Sequence, residues 1–107
     1  MGDAVWNSIS QSFKDGLLEL IILRLVNDGP SQTAKKSELT KQLAKKAGIW
    51  LSEFQVLVIL KRLEKHGMLK RIPNSQIFGI TAHGKEEIYD RVSQMERFIG
   101  YVKEGSP

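Results

Sequence analysis

Cysteine is absent from all 107 residues. Its absence excludes disulfides, thiolate catalysis and cysteine-based zinc sites, and it fits a reducing cytoplasm. Histidine is scarce. His66 and His83 stand far apart with no ligand spacing around them, so neither a metal site nor another cofactor is expected. No glycine loop has the pattern of a phosphate cradle, and no serine has a nearby histidine pattern. An enzyme is therefore not expected. Long apolar runs are also missing. The longest, residues 17–26, contains Glu19 and Arg24 and is too short to cross a bilayer. The first ten residues, MGDAVWNSIS, lack the basic-then-apolar order of a secretory signal. Gly2 follows Met1, but Trp6 and Asn7 do not fit the serine or threonine of a myristoylation signal. The expectation is a cytoplasmic protein that does not engage a membrane.

Hydrophobic residues make up 41% of the chain, enough for one packed core and one domain at this length. The net charge is +4, and its distribution says more than its total. Residues 35–71 hold ten basic side chains against three acids, a net +7. The remainder holds six basic side chains against nine acids, a net −3. Segregation of this kind points to one positive surface, either a solvated lysine face or a nucleic-acid footprint.

Along the chain, Trp6, Ile9 and Phe13 stand at helical spacing in a short lead-in, which Asp15-Gly16 is expected to break or recap. Residues 17–27, LLELIILRLVN, are apolar nearly all round and must be buried on more than one side. Asp28-Gly29-Pro30 ends that helix, with Gly29 expected in the left-handed position. A polar loop follows over 31–36. Ser37 is expected to cap a second helix, with Leu39, Leu43 and Ala47 on its apolar stripe and Gly48 as its stop. Ser52 and Gln55 form a capping box, with Leu51 placed to staple against Val56. This third helix reaches about His66 and stops at Gly67. Val56, Ile59, Leu60 and Leu63 should face the core, with Trp50 packed in the preceding turn. Two β-like runs, 68–72 and 76–80, surround the turn residues Pro73-Asn74-Ser75. Thr81 caps a last helix to about Val102, where Ile88, Val92, Met95, Ile99 and Val102 form a coiled-coil-like seam.

Helix, helix, turn, helix, hairpin, helix is the winged helix-turn-helix order, mainly α with a small β-hairpin. LKRLEKHGMLKR, residues 60–71, resembles the third helix end and first wing strand of bacterial and archaeal winged-helix regulators. FGITAHGKEEI, residues 78–88, resembles the second wing strand and the start of the dimerisation helix in PadR-like and MarR-like families. DGLLELIILRLVNDGP is similar to the first helix of PadR-like proteins. The glycine-tyrosine pair that follows it in typical PadR proteins is replaced here by a lysine-containing loop, so the broader PadR-like or MarR-like grouping is the closer fit. The resemblance implies a lead-in over 1–14, a DNA-binding domain over 15–82, a C-terminal dimerisation helix over 83–103 and a tail over 104–107. It implies a dimeric regulator of transcription that binds double-stranded DNA.

In that fold a recognition helix, here about 53–66, enters the major groove, and the wing, about 68–80, lies on the backbone. Ser52, Gln55, Val58, Lys61 and Arg62 are the candidates for base edges. Gln55 has a competing role in its own cap. Lys36, Lys45, Lys46 and Lys65, with Lys35 and Lys41, are candidates for phosphates, and Lys70 and Arg71 begin the wing. The dimer interface is expected to use Leu17, Leu20 and Ile21 of the first helix and Ile88, Val92, Met95, Ile99 and Val102 of the last, although the seam could instead pack on its own first helix. Any small-molecule effector is unspecified. The competing reading is a winged-helix protein-interaction module within a larger complex. Exposure of Leu57 and Val58 beside Lys61 would favour it.

Overall fold

The computed structural model describes residues 11–105; Trp6 and Ile9 of the expected lead-in lie outside them. Helix α1 spans Gln11–Asn27 and runs straight through Asp15-Gly16, where the sequence predicts a break. Glycine lowers helix propensity without forbidding the conformation, and the apolar face that continues from Leu17 onward holds the helix in place. Leu18, Leu20, Ile22, Leu23 and Val26 are buried.

The exit from α1 differs from expectation. Gly29 has φ −75°, so it is not the left-handed residue. The positive φ values belong to Ser31 and Gln32, at 54° and 59°, within the turn Pro30–Gln32. Glycine is needed at 29 for space, since a Cβ there would fall against the Thr33 carbonyl. The turn reverses the chain into a strand, β1, at Thr33–Lys35, inside what reads as a polar loop. Lys35 is extended (φ −97°, ψ 152°) and is both the strand's last residue and the N-cap position of α2, Lys36–Gln42. The expected Ser37 cap is therefore displaced, because sheet pairing already sets where the helix starts. A wider, π-type turn at Leu43–Ala47 prolongs α2, and Gly48 at φ 66° closes it, as expected.

Helix α3 spans Glu53–Lys65 and begins with the predicted capping box. The Gln55 N–H donates to Ser52 Oγ at 3.1 Å, and the Ser52 N–H donates to Gln55 Oε1 at 2.9 Å. Its far end is a glycine stop: Gly67 has φ 76°, and the Met68 N–H reaches back to the Leu63 carbonyl at 2.9 Å. The wing follows as β2, Leu69–Arg71, and β3, Ile77–Ile80. Asn74 turns it at φ 60°. The sheet is antiparallel in the order β1-β3-β2, so β1 covers the edge of β3 that a hairpin alone would leave open.

Thr81 joins the sheet to the last helix. Its hydroxyl donates to the Gly67 carbonyl at 2.6 Å and accepts from the Gly84 N–H at 3.0 Å. Helix α4 then spans Ala82–Glu104. Its length stretches the molecule to 51 × 31 × 22 Å, with a radius of gyration of 14.7 Å, against about 13 Å for a compact chain of this size. The core joins α1 to Leu39 and Leu43 of α2, Val56, Ile59, Leu60 and Leu63 of α3, and Leu69, Phe78 and Ile80 of the sheet. Leu51 packs at its edge.

One carboxylate ties three helices together. Glu19 of α1 accepts from Arg62 Nε of α3 at 2.7 Å and from Arg91 Nη1 of α4 at 3.1 Å. Arg91 Nε also donates to Glu87 at 3.0 Å. The Glu19 side chain is only 15% exposed, so this pairing is better shielded than ordinary surface ion pairs.

Two expectations follow, both measurable by urea denaturation. A Cβ on Gly84 would meet the Met68 carbonyl and the Ile80 side chain. Gly84→Ala should therefore cost about 1–3 kcal/mol, while Gly16→Ala, with open space around it, should gain about 0.5–1 kcal/mol if the helix is continuous there. Glu19→Gln should lose about 1–3 kcal/mol with an unchanged denaturant slope, since Arg62 loses its counter-charge and Arg91 keeps only Glu87.

Candidate nucleic-acid interface

Helix α3 has two sharply different sides. Val56, Ile59, Leu60 and Leu63 face inward and are buried. The opposite side carries Phe54, Val58, Lys61 and Lys65, spaced four, three and four residues apart and all exposed. Leu57 turns away from this row and packs against the core. Val58 is thus exposed beside Lys61, and Leu57 is not.

Gln55 and Ser52 are exposed at the first turn but already engaged with each other in the capping box. The Gln55 amide still has both N–H donors and a second acceptor lone pair. Arg62 is half-buried, and its Nε is committed to Glu19, on the flank of the helix that faces α1 and α4. Lys45 and Lys46, at the end of α2, are exposed. Lys35 and Lys41 are exposed too, while Lys36 stands 3.9 Å from Glu53 at the start of α3. In the wing, Lys70 and Arg71 are exposed. The Arg71 guanidinium sits 6.0 Å from the centre of the Phe78 ring, and its Nε donates to the Ser75 carbonyl at 3.3 Å. These contacts fold Arg71 back along the wing. Ser75 further braces the tip, donating to the Ile72 carbonyl at 2.8 Å and accepting from the Ile77 N–H at 3.2 Å.

The sequence reading missed the aromatic residues here. Trp50, expected to pack in the core or against another domain, is 76% exposed and so is not in the core, and Phe54, not singled out at all, is 73% exposed; Val58 is 46% exposed. Among the described aromatics only Phe78 is buried. A signal was available: Phe54 lies four residues before Val58 and seven before Lys61, on the face opposite the buried leucines.

The remaining exposed aromatics are Phe13 on α1 and Tyr89, Phe98 and Tyr101 on α4. Residues Ile88, Val92 and Met95 of the expected seam turn partly toward α1. Ile88 packs against the core, and Val92 lines a shallow groove with Leu20 and Ile21. Leu20 is already buried within the chain, and Leu17 and Ile21 are half-buried. A second groove of about 440 Å³ between α1 and α4 includes Phe13, Leu17, Met95 and Phe98. Beyond it, Ile99, Tyr101 and Val102 are exposed. Among the described residues no helix is long and apolar enough to cross a membrane, and no three histidine, aspartate or glutamate side chains gather as a metal site would require.

The sequence matches no protein-family model and no curated protein. Its architecture does match solved structures. A transcriptional regulator from Clostridium thermocellum superposes with a TM-score of 0.74 at 21% identity, covering 92% of this chain and 99% of that one. A MarR-family transcriptional regulator from Streptomyces coelicolor gives 0.67 at 20% identity, covering 95% and 67%. A winged-helix DNA-binding protein from STIV gives 0.59 at 18% identity, covering 80% and 90%. At these identities the likeness is one of fold, and the helix order, the β1-β3-β2 sheet and the capped third helix agree with it: the chain is a winged helix-turn-helix with a long C-terminal helix.

Proposed function

We propose that this protein is a dimeric, double-stranded-DNA-binding regulator of transcription that works in the cytoplasm. In this reading α3 lies in the major groove and the wing follows the backbone. The observation that carries it is the outward face of α3, where Lys61 and Lys65 continue one exposed row and no acid interrupts it. Lys45 and Lys46 add to the positive charge at the end of the preceding helix. A duplex offers phosphates to such cations on both sides of the groove. The regulator and DNA-binding functions of the similar structures point the same way. The sequence motifs favour a PadR-like or MarR-like grouping.

The base-edge set in this proposal is Ser52, Gln55, Val58 and Lys61. Arg62 is assigned to the Glu19 pairing instead. Lys36, Lys45, Lys46, Lys65, Lys70 and Arg71 are assigned to phosphates. No catalytic role or cofactor is proposed.

The dimer reading rests on the apolar end of α4. Ile99, Tyr101 and Val102 are exposed beyond the groove between α1 and α4, and among the described residues nothing covers them. A two-fold dimer through this arm would set two recognition helices on one side of a duplex, about one turn apart. A protein-docking role for α3 remains the second reading, favoured by the exposure of Trp50, Phe54 and Val58.

Fluorescence anisotropy with mixed-sequence duplex DNA across a salt series tests the DNA reading. Affinity should fall steeply with salt, and Lys45→Ala or Lys65→Ala should each reduce the log–log slope by about 0.9. Absence of binding at low salt would remove DNA as the partner. Sedimentation equilibrium tests the dimer: the native chain should run at twice its monomer mass, and Ile99→Asp should run as a folded monomer. A monomeric native chain would refute the arm-mediated dimer.

A further inference from the structure

We infer that the outward face of α3 reads the C5-methyl groups of thymine, with Phe54 and Val58 as the residues that set specificity. The inference rests on the DNA reading above and goes further, because it states what the protein recognises.

Phe54 is the second residue of α3, and Val58 stands one turn later on the same side. Residues early in a recognition helix are those that approach base edges. A large apolar side chain left 73% exposed at that position is unusual on a solvated surface. The core does not need it, since the inward face is filled by Val56, Ile59, Leu60 and Leu63. The floor of the major groove presents donors, acceptors and one apolar group, the thymine methyl, and apolar side chains recognise it by contact.

The charge around the patch selects between occupants. Lys61 and Lys65 continue the row of Phe54 and Val58, and Lys45 and Lys46 lie exposed on the helix before it. An apolar tip flanked by cations complements a groove whose floor carries methyl groups and whose walls carry phosphates. A docked protein is the weaker fit. Trp50, Phe54 and Val58 are three exposed apolar residues, against the roughly 20–30 residues that each partner contributes to a standard protein interface.

Deoxyuridine isolates the methyl group, because it retains every hydrogen-bonding atom of thymidine and lacks only that substituent. Duplexes retained by the full chain from a random pool would be prepared once with thymidine and once with deoxyuridine. The expected result is thymine-rich half-sites, with affinity falling about fourfold for each contacted methyl removed. Phe54→Ala should lose most of that difference and Val58→Ala part of it, with an unchanged melting temperature. Three results would overturn the inference. Retained duplexes that bind equally well with either base would remove methyl reading and leave the DNA-binding function standing. A methyl effect undiminished in both variants would place the contact elsewhere. Failure to retain any duplex would remove both proposals together and assign the apolar face to a protein partner.

Discussion

Because α1 is apolar on nearly every side, no single neighbour can cover it, and the arrangement of the other elements follows from that requirement. Ile22, Leu23 and Val26 join Leu39 of α2, Leu60 and Leu63 of α3, and Phe78 of the sheet in one core. Helix α4 closes part of the remaining side. Where these neighbours meet, Glu19 holds Arg62 and Arg91, so α3 and α4 share one charged anchor on α1. The orientation of α3 relative to α4 is thereby tied to α1.

The small core packed around α1 also leaves the aromatic residues little room inside. Aliphatic side chains, which interdigitate in a small volume, fill the interior, and Phe78 is the one described aromatic among them. The other described aromatics lie in two places: Trp50 and Phe54 at the start of α3, and Phe13 of α1 with Tyr89, Phe98 and Tyr101 of α4. Large apolar groups outside a satisfied core indicate contacts beyond the chain. Here they coincide with the two surfaces proposed above to meet partners, the outward face of α3 and the end of α4.

Local chemistry was the legible part of the fold. The Ser52–Gln55 capping box, the Gly48 and Gly67 stops and the Thr81 cap all depend on interactions within a few residues, and each is where the pattern placed it. Strand β1 was not legible. Thr33, Ala34 and Lys35 become a strand only because β3, more than forty residues away, offers them an open edge. Gly29 was misread for a related reason, since what excludes a side chain there is the Thr33 carbonyl brought close by that pairing. The pairing of Arg62 was not legible because Glu19, its partner, lies 43 residues earlier.

The sequence by itself determined the order of helices, turns and hairpin, the inward face of α3 and the placement of positive charge in the central segment. Those properties are carried by spacing, capping and composition, which act over one or two turns of chain. Tertiary structure decided which surface residues were left free. It took Arg62 for a structural pairing, turned Leu57 inward, and left Phe54 and Trp50 in solvent. Those outcomes depend on how much of each helix its neighbours cover, a quantity fixed only when distant segments pack together.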